Sequence, residues 1–291
     1  MPDASIPNMP EPRADAAREE ALRLLRHPVL PLVTIAGFLL YSGGCADVDT
    51  LLAELPPTIE TETARYDDAR AWLVPYQDEL ARLACGVGGN GGADLPTILD
   101  KTGAPLDAAS ALRAVVAQAV LDKELAHINS LLCGAEHCTL CCIGPDAAMR
   151  QEYFHIPLRP EETPLFPDTP RVDAAARSLD DVKPGSEAAI VRHRRGTSLV
   201  LPRLARCPAL DGGGRCSVYA DRPRVCRKPQ IFPYVLEELD EAERPGEEPA
   251  FRLRDALLAV TDCPYVRTYQ DEIARYAAAA ELELVLRQNK A

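Results

Sequence analysis

The sequence predicts a mainly α-helical protein with a small, irregular α+β region that is rich in cysteine and has few short strands. Three observations predict this class. Residues 21–132 repeat apolar positions at helical spacing, residues 133–263 are rich in Pro and Gly without a clear period, and residues 266–289 return to a helical pattern. We therefore divide the chain into a polar, Pro-rich disordered tail (1–20), a helical region (21–132) and a cysteine-rich region that ends in a helix (133–291).

The composition argues against two classes of partner. The 44 acidic and 32 basic residues give a formal net charge of −12, and only 5% of the residues are aromatic. An acidic chain with few stacking rings is not typical of proteins that bind nucleic acid or anionic membranes. We therefore expect no nucleic acid and no membrane among its partners. An unknown protein partner or substrate stays open.

A charge-free stretch from Pro28 to Tyr41 needs an explanation. It is shorter than the roughly 20 apolar residues of a membrane span, and two prolines lie near its start. The acidic residues Asp15, Glu19 and Glu20 ahead of it do not suit a secretory signal. We expect a buried helix and a cytoplasmic protein, in which cysteines stay reduced.

The helical region contains further local signals. Residues 65–83 place apolar side chains on one helical face, and Pro75 should interrupt that helix. The glycine-rich run at 86–92 ends it, and it is no phosphate loop because no Lys-Ser/Thr pair follows. Asp107 suits the N-cap of a helix that runs to about Leu132.

The cysteine-rich region shows three short strand signals, at 154–158, 188–191 and 198–201, the last two joined through Arg194-Arg195-Gly196. Residues 236–249 are predicted as an acidic, solvated loop. Because the region shows little apolar pattern, we expect something other than a core to hold it together. Small irregular regions commonly use a metal for this purpose.

Eight of the ten cysteines form an ordered series. The first four follow the spacing C-x4-C-x2-C-C, and two thiols separated by two residues can fold back onto one metal. Adjacent cysteines point to opposite sides of an extended segment, so they suit two metals or two corners of a larger cluster. Metal ligation is therefore the favoured interpretation, whereas Cys45 and Cys85 are interpreted as ordinary small apolar residues. The series is Cys133, Cys138, Cys141, Cys142, Cys207, Cys216, Cys226 and Cys263.

The series resembles the YkgJ-like cysteine-cluster family, a putative zinc- or iron-chelating CxxCxxCC domain, when it is taken with the motifs around it. Those motifs are Cys207-Pro208-Ala209-Leu210, Cys216-Ser217-Val218-Tyr219, Arg222-Pro223-x2-Cys226-Arg227 and Cys263-Pro264, over about 130 residues. The resemblance implies that the seven cysteines from Cys138 onward are metal ligands. Cys133 departs from the pattern, because its gap to the next cysteine is four residues rather than two. Arg222 and Arg227 lie inside the motif and are predicted to contact the cofactor.

The spacing alone does not decide which metal is bound. Zinc prefers closed sites of four ligands, and iron–sulfur clusters also take about four thiolates each. We expect an iron–sulfur cluster of the 4Fe–4S type, with zinc as the alternative, because dispersed ligands in a Pro-rich wrap suit a large cofactor. The basic residues between Arg203 and Lys228 would offset the negative charge of such a centre. His137 is kept as an alternative ligand.

Three functions stay open at this point. The centre can be structural or redox-active, it can serve an enzyme, or the protein can chelate and deliver metal. Some proteins that resemble this family are linked to protein lysine N-methylation, which is the enzyme alternative. The sequence contains no H-E-x-x-H, G-x-S-x-G or Walker motif, so no catalytic residue is assigned.

Overall fold

The computed structural model describes residues 11–43, 45, 47–87, 95–136, 138–147, 149, 151–182, 185–228, 230–240, 242–246 and 248–288. Over these ranges the chain forms eight α-helices and ten β-strands, arranged in three sheets. The protein is therefore of mixed α and β architecture, and the prediction of a mainly α-helical fold with few short strands is wrong. His137 and most of the glycine-rich run lie outside the described residues.

In the described part of the chain, five helices and three short strands come before the ordered series of cysteines, and a sixth helix, α6, contains its first cysteine. Aspartates start three of the helices, because the side chains of Asp47, Asp68 and Asp107 each accept a hydrogen bond from a backbone N–H in the first turn. The N-cap predicted at Asp107 is confirmed. The elements are α1 (Glu11–Arg26), α2 (Leu30–Tyr41), α3 (Val48–Glu54), β1 (Thr58–Glu60), β2 (Arg65–Asp67), α4 (Ala69–Leu73), α5 (Gln77–Val87), β3 (Thr97–Leu99) and α6 (Ala108–Ala135).

Two predictions for this part need correction. Helix α1 begins at Glu11, so the disordered tail predicted over 1–20 is wrong from that residue onward, and residues 1–10 lie outside the described part. The helix predicted over 65–83 begins instead as strand β2, which pairs antiparallel with β1. Pro75 does interrupt the helical stretch, since it lies in a 3₁₀ turn between α4 and α5.

Helix α2 is buried on one side, as predicted for the charge-free stretch. Leu32, Val33, Ala36 and Leu40 are buried, whereas Phe38 is 68% exposed. None of the described helices is by itself long and apolar enough to cross a membrane. Helices α1 and α2 together, with a bend of 48° between them, meet that test by length and composition.

The cysteine-rich region builds most of the two larger sheets. In the first, β9 (Ala250–Val260) pairs antiparallel with β8 (Ile231–Glu238) and parallel with both β3 and β10 (Glu283–Arg287). The second has the strand order β4-β7-β6-β5. Its strands are β4 (Tyr153–Leu158), β5 (Arg171–Ala174), β6 (Ala189–His193) and β7 (Gly196–Pro202). The strands predicted near 154–158, 188–191 and 198–201 are therefore confirmed.

The C-terminal elements differ from the prediction. The single helix expected over 266–289 is instead α7 (Pro264–Thr268), α8 (Gln270–Ala279) and strand β10. The acidic loop predicted over 236–249 begins inside β8, and Leu239 is only 1% exposed. The long-range pairing of β10 with β9 overrides the helical pattern of the last residues.

Two apolar cores support the cysteine-rich region. The larger core packs α1 and α6 against β8, β9, α7 and α8, and it crosses residue 132. The smaller core lies on one face of the second sheet and contains Leu158, Phe166, Ile190, Leu199 and Leu201. The expectation that this region has no apolar core of its own is therefore wrong. The division at residue 132 stays a prediction.

Candidate metal centre

The first group of cysteines lies where helix α6 ends. Cys133 is in the last turns of α6, and its thiol faces the carbonyl oxygen of Cys138 at 3.9 Å. Cys141 and Cys142 follow in a 3₁₀ turn, closed by a 2.8 Å hydrogen bond from the Cys142 amide to the Thr139 carbonyl. The helix end and the tight turn therefore gather four thiols within one short stretch.

Backbone pairing brings the second group of cysteines against the first. The Cys207 amide donates to the Cys142 carbonyl at 2.8 Å, and the Gly144 amide donates to the Ala205 carbonyl at 2.8 Å. A Cβ atom on Gly144 would lie 1.7 Å from the Pro202 carbonyl oxygen. Only glycine permits this close approach, so Gly144 fixes the distance between the two groups.

Three cysteines lie in loops whose backbone amides point at the sulfur. Cys207 and Cys263 are each followed by a proline, which has no N–H and restricts the turn, and the next two amides donate to the thiol. N–H···S bonds of this kind favour the thiolate form. The donors are Ala209 and Leu210 to Cys207, Tyr265 and Val266 to Cys263, and Val218 to Cys216.

Cys226 is delivered by a short 3₁₀ turn over Arg224–Arg227. Its amide donates to the Pro223 carbonyl at 2.9 Å. Arg227 braces this turn, since its Nε and Nη2 atoms donate to the carbonyls of Arg222 at 3.1 Å and Ala220 at 3.2 Å. The exposed Arg227 side chain therefore binds the backbone of its own loop. That it contacts a cofactor stays a prediction.

Cys141 is the common neighbour of the thiols. Its thiol is hydrogen-bonded to that of Cys142, and Cys263 joins the group through a thiol–thiol hydrogen bond to Cys138. The eight cysteines of the series thus form one connected group drawn from distant parts of the chain. Those in hydrogen-bonding or electrostatic contact with Cys141 are Cys133, Cys138, Cys142, Cys207, Cys216 and Cys226.

Burial controls the protonation of most of these thiols. It raises the pKa of Cys133 to about 12, of Cys207 to about 11 and of Cys226 to about 12. The hydrogen bond from the Cys263 thiol has the opposite effect and lowers the pKa of Cys138 to about 6. Neutral thiols are therefore favoured at most positions, and a positive charge placed among them would favour the thiolate form.

Arg222 is the arginine of the motif that faces the thiols. It is 7% exposed, and its guanidinium carbon lies 4.0 Å from the centre of the Tyr219 ring. Its positive charge favours the thiolate forms of Cys133, Cys141, Cys216 and Cys226.

The donor chemistry fits a metal centre, but the thiols are not in coordination geometry. All ten cysteines are free, and in the described part of the chain no three Cys, His, Asp or Glu side chains are positioned to hold a single metal ion. Cys45 packs against the core beside α2, and Cys85 is exposed on α5. Neither is in contact with the connected group in the described contacts.

Sequence reasoning missed two residues that shape the centre, Ser130 and Gly134 on helix α6. Ser130 accepts hydrogen bonds from Tyr219 and Arg222. A Cβ atom on Gly134 would lie 2.8 Å from the Tyr219 hydroxyl. A glycine inside a long helical pattern is the one signal that indicates such a close approach.

Comparison with known proteins agrees with the chemistry of the donor set. Residues 132–247 match the model of the CxxCxxCC family, which is described as a putative zinc- or iron-chelating domain. The matched range contains seven of the eight cysteines of the series and ends before Cys263. No match to the chain was found among curated proteins or among solved structures. The family description supports metal binding by this part of the chain.

Proposed function

We propose, from the CxxCxxCC domain that residues 132–247 carry, that the protein binds an iron–sulfur cluster through its cysteines. The bound centre has a structural or redox role. The proposed ligands are the eight cysteines of the series, with a cluster of the 4Fe–4S type using four of them. One observation carries the proposal, namely that thiols from distant loops lie within electrostatic reach of Cys141.

The form of the thiol group favours a cluster over a single zinc ion. A structural zinc site needs four ligands held about 2.3 Å from one point. The eight thiols of the series outnumber the four ligands of such a site and come from separate stretches of the chain. A larger cofactor takes ligands from several such stretches. The Cys-Pro turns also suit a cluster, because their backbone amides donate N–H···S bonds that stabilise the negative charge of a cluster.

The location of the centre supports a structural contribution. Cys207 and Cys216 pack against the core under the second sheet, and Cys133, Cys138 and Cys263 pack in or against the larger core. A bound cofactor would therefore tie the two cores to each other. All ten thiols are free, as is usual in a reducing compartment. We therefore propose that the protein is located in the cytoplasm.

The test is metal and sulfide analysis with electron paramagnetic resonance on protein purified without oxygen. The proposal expects brown protein that contains iron and labile sulfide, with a resonance signal after reduction. A colourless protein with stoichiometric zinc would overturn the choice of cofactor. Protein without bound metal, even after incubation with iron and sulfide or with zinc, would overturn the proposal as a whole.

A further inference from the structure

We propose that Arg222 is the buried counter-cation of the cysteine centre and reserves its Nε donor for a sulfur atom of that centre. This inference rests on the proposed function, because it requires a negatively charged sulfur centre. It assigns a role to three further residues, Tyr219, Ser130 and Gly134, which hold the guanidinium in place.

Arg222 carries an unpaired donor in the interior of the protein. Its Nη2 atom donates to the Ser130 hydroxyl at 2.5 Å. Its Nε atom is buried and has no hydrogen-bond partner among the described residues. A buried charged donor without a partner is costly, so a partner is expected when the protein is in its working state.

Cysteine sulfur is the negatively charged chemistry that lies close to Arg222 in the described part of the chain. No carboxylate forms an ion pair with Arg222 there; the described ion pairs all involve other cations. Its guanidinium group lies within electrostatic reach of four cysteine thiols from three chain segments. They are Cys133, Cys141, Cys216 and Cys226. Thiolates or sulfides bound to a metal would supply the missing acceptor and the missing negative charge.

Helix α6 fixes the position of the guanidinium. The Tyr219 hydroxyl donates to the Ser130 carbonyl, which lays the ring against the helix. Arg222 stacks on the face of that ring at 4.0 Å. Gly134 lies beneath the ring, where any larger residue would meet the Tyr219 hydroxyl. These three residues are positioning residues, since they act on the centre through Arg222.

Arg224 provides a matched control on the same loop. It is exposed, and its described hydrogen bond, to Glu162, is made by its backbone amide and not by its side chain. Replacing its side chain removes a positive charge from the same part of the chain and leaves that hydrogen bond in place. The comparison of R222Q with R224Q therefore separates a buried counter-cation from a general effect of charge.

The experiment measures metal release and thermal unfolding of anaerobically purified protein. Metal loss to excess EDTA is followed for wild type, R222Q, R222K and R224Q. We expect R222Q to weaken metal retention by about 10- to 100-fold, which is usual when a residue that supports metal ligands is lost. R222K keeps the charge and should fall between R222Q and wild type, and R224Q should match wild type.

Unfolding of the metal-free and metal-loaded forms separates this role from a purely structural one. The metal should raise the melting temperature of wild type much more than that of R222Q, while the metal-free forms melt at similar temperatures. Equal release rates for R222Q and wild type, or an equal loss of stability in both forms, would overturn the inference. If R222Q does not fold, R222K decides, since metal release from R222K that is no faster than from R224Q would also overturn the inference. Wild type that holds no metal would instead overturn the proposed function.

Discussion

The backbone amide of Cys207 donates a 2.8 Å hydrogen bond to the carbonyl oxygen of Cys142. Together with the bond from the Gly144 amide to the Ala205 carbonyl, it joins the two halves of the cysteine series, which lie far apart in sequence. It places the adjacent pair Cys141 and Cys142 beside the Cys-Pro turn that presents the Cys207 thiol to its own amide donors. The protein therefore brings its thiols together through its backbone.

The ligand assignment predicts which thiols are needed for metal binding. Cys141→Ser and Cys226→Ser should each reduce the metal content sharply, because a neutral hydroxyl is a poor substitute for a thiolate ligand. Metal and sulfide analysis of the purified variants is the measurement. Cys45→Ser and Cys85→Ser are the controls and should keep the wild-type content. Full metal content in all four variants would show that the assignment is wrong.

Gly144 is predicted to be essential for the approach of the two cysteine groups. In Gly144→Ala the new methyl group would meet the Pro202 carbonyl oxygen, so one of the two backbones has to move. We expect a loss of about 3 kcal/mol of unfolding free energy, at the upper end for overpacking, measured by chemical denaturation. Gly185→Ala is the control, because nothing lies within 4 Å of its Cβ position and no strained backbone is involved. Equal stabilities of the two variants would contradict the account.

The buried carboxyl of Glu124 predicts a decrease of stability with rising pH. Glu124 accepts hydrogen bonds from the Val29 amide at 3.0 Å and the Tyr276 hydroxyl at 2.6 Å, and burial raises its pKa to about 8. Between its ordinary value of 4.5 and about 8, the folded protein holds a proton that the unfolded chain has lost. Stability contributed by this group is therefore complete below pH 4.5 and falls by up to about 1.4 kcal/mol per pH unit above it.

Glu124→Gln tests this dependence, because the amide resembles the protonated acid and does not titrate. Chemical denaturation at several pH values should give a shallower fall in stability for the variant than for wild type. The exposed Glu54→Gln is the control and should keep the wild-type slope. Parallel slopes for wild type and Glu124→Gln would show that the carboxyl is not protonated in the folded state.

Asn129 is predicted to be the main polar link between helix α6 and the C-terminal half. Its side chain is fully buried, donates to the Ile231 carbonyl at 2.6 Å and accepts from the Ile231 amide and the Tyr265 hydroxyl. Asn129→Ala should cost about 3 kcal/mol or more, because it removes three hydrogen bonds in the interior. Tyr265→Phe removes one hydroxyl and should cost about 1 kcal/mol. Thermal or chemical unfolding measures both, and similar losses in the two variants would contradict this role.

Local signals predicted the elements that depend on local chemistry. Asp107 predicted the start of helix α6 through its capping side chain, and two short strand signals joined through Arg194-Arg195-Gly196 predicted the hairpin of β6 and β7. The end of α8 carried no such signal, because Glu281 adopts the left-handed conformation (φ 58°) that glycine usually supplies. The Ala-rich pattern therefore predicts a helix that is too long and includes the residues of strand β10. The parallel pairing of β10 with β9 depends on residues that are distant in sequence.

The candidate site also has some features that local sequence signals predict and others that depend on tertiary packing. The spacing of the cysteines indicated a metal centre, because ligand geometry leaves its mark on sequence spacing. The sequence also singled out Arg222 from its motif. Which thiol lies at the centre, and how Ser130 and Gly134 seat the Tyr219 ring, depends on the packing of loops against α6. Apart from the glycine within the helical pattern of α6, no local pattern carries that information.

The central claim is that sulfur atoms from separate stretches of the chain bind one inorganic centre. X-ray absorption spectroscopy at the edge of the bound metal tests it most directly, since it reports the elements in the first coordination shell. The account predicts a shell made of sulfur, at about 2.3 Å, together with a short metal–metal distance if the centre is a cluster. A first shell of nitrogen and oxygen would contradict it.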